Sequence, residues 1–456
     1  MKAAVVLCTR DLRVHDNPAL AAAAEAAETV LPLFVLDEGI GRTRYGAAAN
    51  RRAFLLESLA DLDASLRALG GALDVRRGDV VGETVRAARE TGAGAVFASA
   101  DVSPYARERE RRLGAALDLR LVNGSFVVPA GEVAPAGATH YQVFSPYHRA
   151  WQQVPFGDPI AAPLALRLPE GVEPGVVPSP GRAAPGPGGE SAARARMVAW
   201  LREGLPGYGS GGHDDMAGDA TSRLSPYLHF GCLSPRELAV RALEAGGEAF
   251  VRQLCWRDFY AQLLWAYPRT QTDDLRPRGD RWVEGGEALA AWKEGRTGYP
   301  LVDAGMRQLR EEGWMHNRAR MVVASFLVKD LGIDWREGAR HFFDLLLDGD
   351  VAQNVGNWQW VAGTGVDSRP NRVYNPTAQL QKLDPEGRYV RRYVPELEGV
   401  PAREIAEPGL LAPAYPAPIV DHAEAVARFR ERRGLAMQSN LCKDALHGAE
   451  AVDRAT

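Results

Sequence analysis

The stretch from about residue 155 to 190, PFGDPIAAPLALRLPEGVEPGVVPSPGRAAPGPGGE, limits the possible folds more than any other part of the chain. Proline removes a backbone donor and fixes φ, so neither a helix nor a sheet ladder survives at this density of proline and glycine. The chain is thereby cut into two parts, each of which buries its own core, as a length of 456 residues already favours. The stretch itself reads as an interdomain connector lying along the surface, without chemistry of its own.

The two parts have different periods. Up to about residue 125, short apolar runs (AAVVLC, TVLPLFVL, LDV, AVFAS, LRLV) alternate with helical stretches. In the longest of these, Leu55, Leu59, Leu62, Leu66 and Leu69 recur at steps of four and three and form one apolar stripe. Alternating strand and helix predicts a Rossmann-like, doubly wound parallel α/β sheet. After the first strand, CTRDLRVHDNPAL places Arg10, Asp11 and Arg13 where a dinucleotide fold has glycines, so a nicotinamide dehydrogenase is disfavoured. Beyond residue 190 the helical period takes over, and eight of the ten tryptophans fall between Trp256 and Trp360. This pattern predicts an all-α second domain with an aromatic-rich interior.

Bulk properties exclude little. The net charge of −4 gives no whole-molecule attraction for nucleic acid but permits a local basic groove. Cys8, Cys232, Cys255 and Cys442 lie far apart with no CxxC and no histidine at ligand spacing, which argues against a metal site or disulfides and for reduced thiols. No signal peptide or run of about 20 apolar residues is present, so a cytoplasmic, non-membrane protein is expected.

Four stretches carry chemistry. DGDVAQNVGNWQW (348–360) packs two carboxylates, several amides and two indoles together, a mixture that neither a loop nor an apolar core accepts without partners. GDATSRLSPYLHFGCLSP (218–235) clusters Thr221, Ser222 and Ser225 at a helix start, which suits an anion but equally an N-cap. In RQLCWRDFYAQLLWAY (252–267), Trp256 and Tyr260 share a helix face beside Arg257, as core packing or as a stacking platform. In GWMHNRARMVVASFLVKD (313–330), Arg320 is expected to meet an aspartate of the first stretch, and His316 reads as a core histidine before a catalyst.

Taken in chain order, TSRLSPYLHFG, WRDFY, GYPLVDAGMRQL, GWMHNRARM, DWREGARHFFD and DGDVAQNVGNWQW resemble the flavin-binding half of the photolyase/cryptochrome family, and TRDLRVHDNPAL resembles its N-terminal signature. The likeness runs from about residue 10 to 400 and is greatest to class I cyclobutane pyrimidine dimer photolyases. It implies an antenna-binding α/β domain at 1–130, a linker at 131–190, a helical FAD- and DNA-binding domain at 191–430 and a short tail at 431–456. By the resemblance, Tyr208, Thr221, Ser222, Leu224, Ser225, Arg257, Asn317, Arg320, Asp348, Asp350 and Asn354 hold FAD, with Arg320 and Asp348 paired. Asn354 would face the flavin N5 edge, where an aspartate would add a second negative charge and disfavour the reduced state. Trp358, Trp335 and Trp282 would form the electron-conducting tryptophan chain.

On the substrate side, the resemblance implies that Trp256 and Trp360 cradle a flipped-out thymine dimer, with Gln253 and Met321 beside it and Arg318, Arg372 and, more weakly, Lys382 on DNA phosphates. Gln253 stands where relatives often have glutamate, and the spacing from Tyr208 to Thr221 is one residue longer than in some. A second histidine on the HN helix, expected for (6-4) photoproduct enzymes, is missing. The expected function is thus light-driven dimer repair by a monomer acting on damaged DNA; the alternative is a cryptochrome-type photoreceptor. ANRRAFL and SADVSPYARERE resemble an antenna pocket, with Arg51 and Asp101 carried over and 8-hydroxy-5-deazaflavin favoured over methenyltetrahydrofolate; the plain alternative is a solvated Arg51–Asp101 pair.

Overall fold

A computed structural model of the chain describes residues 1–42, 48–218 and 220–435. Five short strands form the first domain: β1 (Ala3–Leu7), β2 (Thr29–Asp37), β3 (Asp74–Gly78), β4 (Ala95–Ser99) and β5 (Leu119–Val122). They lie in the order β3-β2-β1-β4-β5, every pairing parallel, as the strand–helix alternation predicts. Strands buried on both faces need apolar residues at every position, and β1 and β4 are buried throughout. Between the strands run α1 (Pro18–Ala26), α2 (Ala49–Ala68), α3 (Val80–Thr91) and α4 (Pro104–Ala116). On α2 the stripe is real: Leu59, Leu62 and Leu66 are buried, while Leu55 and Leu69 are partly covered.

The Pro/Gly-rich segment has no helix or strand from 152 to 189, yet it is tied down by backbone bonds such as Leu166 N to Leu69 O (2.7 Å) and Val30 N to Arg167 O (2.8 Å). The preceding part of the expected linker does fold: α5 (Phe144–Trp151) buries Phe144, Tyr147 and Trp151. The helical domain contains α6 (Ser225–Phe230), α7 (Glu248–Ala266), α8 (Pro300–Glu312), α9 (Asn317–Ser325), α10 (Trp335–Leu345), α11 (Val351–Ala362) and, last, α12 (His422–Arg432). A π turn, Phe326–Asp330, extends α9. Cys8, Cys232 and Cys255 are buried free thiols, and burial pushes all three above the usual thiol range; Cys442 lies outside the described residues. No helix among the described residues is long and apolar enough to cross a membrane.

One close approach sets the lie of the helix that carries the 348–360 stretch. Helix α11 crosses α7 at Gly356, where a β-carbon would come within 2.2 Å of the Tyr260 ring. Overfilling such a contact costs about 1–3 kcal/mol. Gly356→Ala is therefore expected to lower the unfolding free energy by an amount in that range, read as a lower urea midpoint at unchanged slope, and an unchanged midpoint would show that the two helices are not held in contact.

Candidate functional site

Helix α11 begins at a buried N-cap: the Asp350 carboxylate accepts from Gln353 N at 2.9 Å. Its other oxygen meets Arg10, from the loop after β1. Arg10 also donates to Asp101 at 3.2 Å and to the His229 carbonyl at 2.9 Å, so one guanidinium joins the strand ends of the first domain to the head of α11. Burial alone would raise the Asp350 pKa; the Arg10 and Arg257 guanidiniums outweigh it and hold the carboxylate well below the ordinary range. Asp101 is held low against burial by Arg10 too, and desolvation keeps His229 neutral. A cleft beside this cluster is lined by Arg10, Asp101, Arg257, Asp350 and Gln353.

The expected Arg320–Asp348 pair is present: one guanidinium nitrogen, Nη2, faces both carboxylate oxygens at 2.8 and 3.1 Å, and Ser225 adds its hydroxyl to Asp348 at 2.6 Å. Ser225 opens α6 behind Leu224, which is buried; no side chain caps this helix. Thr221 and Ser222 stand ahead of the helix rather than in its first turn, and Ser222 Oγ accepts from Leu224 N at 3.3 Å. Arg223 between them has φ of 50°, a left-handed kink that turns the approach to α6. Tyr208 packs edge-on against Trp200 and Phe250, and burial pushes its phenol up to about 12, so it stays protonated. Asn317 is exposed at the first turn of α9.

Several expected contacts are engaged elsewhere. Arg257 donates to the Ser125 carbonyl at 2.7 Å and sits over Phe126, at the domain junction. Arg318 pairs with Asp214 and lies 3.3 Å from His213 Nε2. His316 is the N-cap of α9 and accepts from Arg318 N; burial pushes it down to about 4, which leaves it neutral and fits the core-histidine reading. Asp101 is committed to Arg10, while Arg51 reaches the helical domain, donating to Leu346 O at 2.9 Å and lying over Phe343. The simple reading of a solvated Arg51–Asp101 pair does not describe these two side chains.

Helix α11 displays two different faces. Inward, Asn354 is buried and its Nδ2 donates to Ala339 O of α10 at 2.9 Å. A carbonyl can only accept, so this bond fixes which end of the amide is oxygen. Among the described residues nothing donates to that oxygen. Trp358 is buried edge-on to Phe342, 5.0 Å between ring centres, and Trp335 is buried with its Nε1 on Asp274 at 2.8 Å. Trp282 is only partly covered, so of these three tryptophans only the last reaches the surface.

Outward, Trp360 and Trp256 are half-exposed on neighbouring helices. Trp256 stacks on Phe144 at 3.6 Å and 5°, and Arg372 lies over Trp360 at 5.7 Å. Gln253 is exposed one turn before Trp256, Met321 is half-buried on α9, and Lys382 is exposed. Sequence reasoning missed Phe144, because it was assigned to the linker, and it missed Arg10 as a site residue. The signal for Arg10 was its place at the carboxyl end of a central parallel strand, where crevices of α/β folds form.

Removing Arg10 leaves two buried carboxylates without their cation, a change that costs about 3–5 kcal/mol. Arg10→Met is expected to show that loss by urea unfolding at neutral pH. Ionised Asp350 stabilises the native fold above its unfolded pKa of about 3.9, and that contribution disappears as pH falls towards the depressed folded value. The gap between native and variant should therefore narrow below about pH 4; a gap independent of pH would contradict the assignment.

The sequence pattern of the DNA photolyase family matches residues 4–164, and that of the FAD binding domain of DNA photolyase matches residues 250–434. The deoxyribodipyrimidine photo-lyase of Streptomyces griseus is 51% identical, over 95% of this chain and 100% of its own. Among solved structures, a bacterial class III photolyase from Agrobacterium tumefaciens superposes with a TM-score of 0.88 at 32% identity, covering 95% of this chain and 97% of that one. An archaeal photolyase from Sulfolobus tokodaii with two FAD molecules gives 0.85 at 30% identity, covering 95% and 99%. On its sequence, its fold and the pairing of Arg320 with Asp348, the chain belongs to the photolyase/cryptochrome family.

Proposed function

We propose that this protein repairs cyclobutane pyrimidine dimers in DNA under blue light, with FAD between α9, α10 and α11 and the dimer at the mouth formed by Trp256 and Trp360; its motifs are of class I type, although a class III enzyme is among its structural neighbours. The observation that carries the reading is the orientation of Asn354, whose oxygen is turned away from Ala339 and is available as an acceptor. The donor set suits a flavin dinucleotide: hydroxyls of Thr221 and Ser222 for phosphates, joined by Ser225 when it exchanges Asp348 for a phosphate, the Arg320–Asp348 pair for the ring's polar edge, and a carboxamide oxygen for an N–H. When bound and fully reduced, FAD supplies light-driven donation and recovery of one electron, chemistry that opens a cyclobutane ring with no net oxidation.

The rest is done by side chains. Asn354 offers an uncharged acceptor. Trp358 and Trp335 are buried and Trp282 is partly exposed, which suits an electron relay that starts at the surface. Trp256 and Trp360 present indole surface to a base pair already weakened by damage, which lowers the cost of flipping it out. Gln253 gives a hydrogen bond without charge at that mouth. Arg318 reaches a phosphate by exchanging Asp214 for it, and Arg372 and Lys382 add salt-sensitive contacts. An antenna pigment, 8-hydroxy-5-deazaflavin in preference to a folate, beside Arg51 and Asp101, and action as a cytoplasmic monomer, complete the proposal.

The test is the absorption spectrum of purified protein, followed by blue light with a dimer-containing oligonucleotide. Flavin bands with light-dependent dimer loss are expected, and flavin without loss would transfer the protein to the photoreceptor reading. An aspartate at 354 would set a second negative charge about 4 Å from a reduced flavin, worth about 4 kcal/mol at an effective dielectric constant of about 20. Asn354→Asp should thus keep flavin content but lower repair by about tenfold or more. Native repair in this variant would refute the role given to the carboxamide.

A further inference from the structure

After α11 the chain turns through residues 363–375 and brings Arg372 back over Trp360, 5.7 Å from the ring centre. Two basic side chains close the base of this loop. Lys329, in the π turn, donates to Ala362 O at 3.1 Å and to Pro370 O at 2.9 Å. Arg433, just after α12, donates to the same two carbonyls at 2.8 and 3.4 Å and to Asn371 Oδ1 at 3.2 Å. Lys329 is completely buried and the Arg433 side chain is 5% exposed. Asp280 balances Arg433 through a two-point pair at 2.6 and 2.7 Å. The closure is tight: at Gly363, with φ of 78°, a β-carbon would lie 2.2 Å from the Pro370 oxygen.

Buried cations are a poor source of stability, because apolar residues of similar volume serve as well or better. What this pair does achieve is geometric. Both side chains pin the same two carbonyls, so the entry and the exit of the loop cannot separate without exposing unpaired buried charge. The Phe429 ring of α12 lies 4.4 Å from Lys329 Nζ, and His422 of α12 meets Asp330, so the same helix clamps the π turn from which Lys329 reaches out.

We propose that Lys329 and Arg433 are positioning residues for the damaged-DNA site, holding the 363–375 loop so that Arg372 stands over Trp360 before substrate arrives; α12 is thereby part of the substrate site. This rests on the repair reading above. The double variant Asp280→Asn/Arg433→Met removes both members of the buried ion pair together, so neither is left orphaned, and Arg433→Lys keeps the charge but loses the fork. Four quantities are measured: dark affinity for a duplex carrying one thymine dimer, flavin content, dimers split per absorbed photon at saturating DNA, and hydrogen exchange of the 363–375 peptide.

Loop exchange is expected to speed up and affinity to fall about tenfold in the double variant, with a smaller loss in Arg433→Lys. Flavin content and yield at saturation should stay at native values. Native affinity and native loop exchange in the double variant would overturn the proposal, as would a joint fall of flavin content and yield with affinity, which marks a general structural role. A native protein with no preference for dimer-containing duplex would instead overturn the repair reading and this inference with it, whereas a native protein that repairs and a variant that behaves identically would overturn the inference alone.

Discussion

One partly buried guanidinium holds the arrangement together. Arg10 meets Asp350 at the head of α11 and Asp101 at the end of β4, two carboxylates contributed by different domains. Charges taken out of water are tolerated only in a geometry that satisfies them all, so the junction has one acceptable register. Because Asp350 is also the N-cap, that register sets the starting point of α11, and the positions of Asn354, Trp358 and Trp360 along it are then fixed by helical geometry.

A helix fixed at one end still rolls unless its flank is fixed too. Gly356 against Tyr260, and Asn354 bonded to Ala339, supply that second constraint on α7 and α10 respectively. Inward side chains are then dry and outward ones wet, an arrangement that suits the proposed electron transfer on one face and the proposed access for DNA on the other. The acidic net charge is no obstacle, since the cations at the mouth are local.

The first domain was legible because strands buried on both faces advertise themselves as continuous apolar runs, AVFAS coinciding with β4, and because the α2 stripe has a clear period. The Arg320–Asp348 pair was legible because a partly buried arginine needs a charged partner and the 348–360 stretch sets two carboxylates, Asp348 and Asp350, close together. What was not legible depends on distance. Nothing local in CTRDLR says that Arg10 meets a carboxylate 340 residues later, nor that Arg318 has Asp214 as partner 104 residues before it. Phe144 was hidden by its neighbours, since a segment rich in proline further on gives no sign that its first turn packs on Trp256. Thr221 and Ser222 showed hydroxyls at a helix start, but the helix begins only at Ser225.

The dependence of Asn354, the residue proposed to face the flavin, on the domain junction can be read from the nitrogen magnetic resonance signal of flavin N5 in protein reconstituted with labelled, fully reduced FAD, compared between the native chain and Arg10→Met. If the tie at the head of α11 sets where Asn354 points, the native protein shows a hydrogen-bonded N5–H and the variant shows that bond weakened. Identical signals in the two proteins would contradict the claim that Arg10 governs the flavin-facing residue.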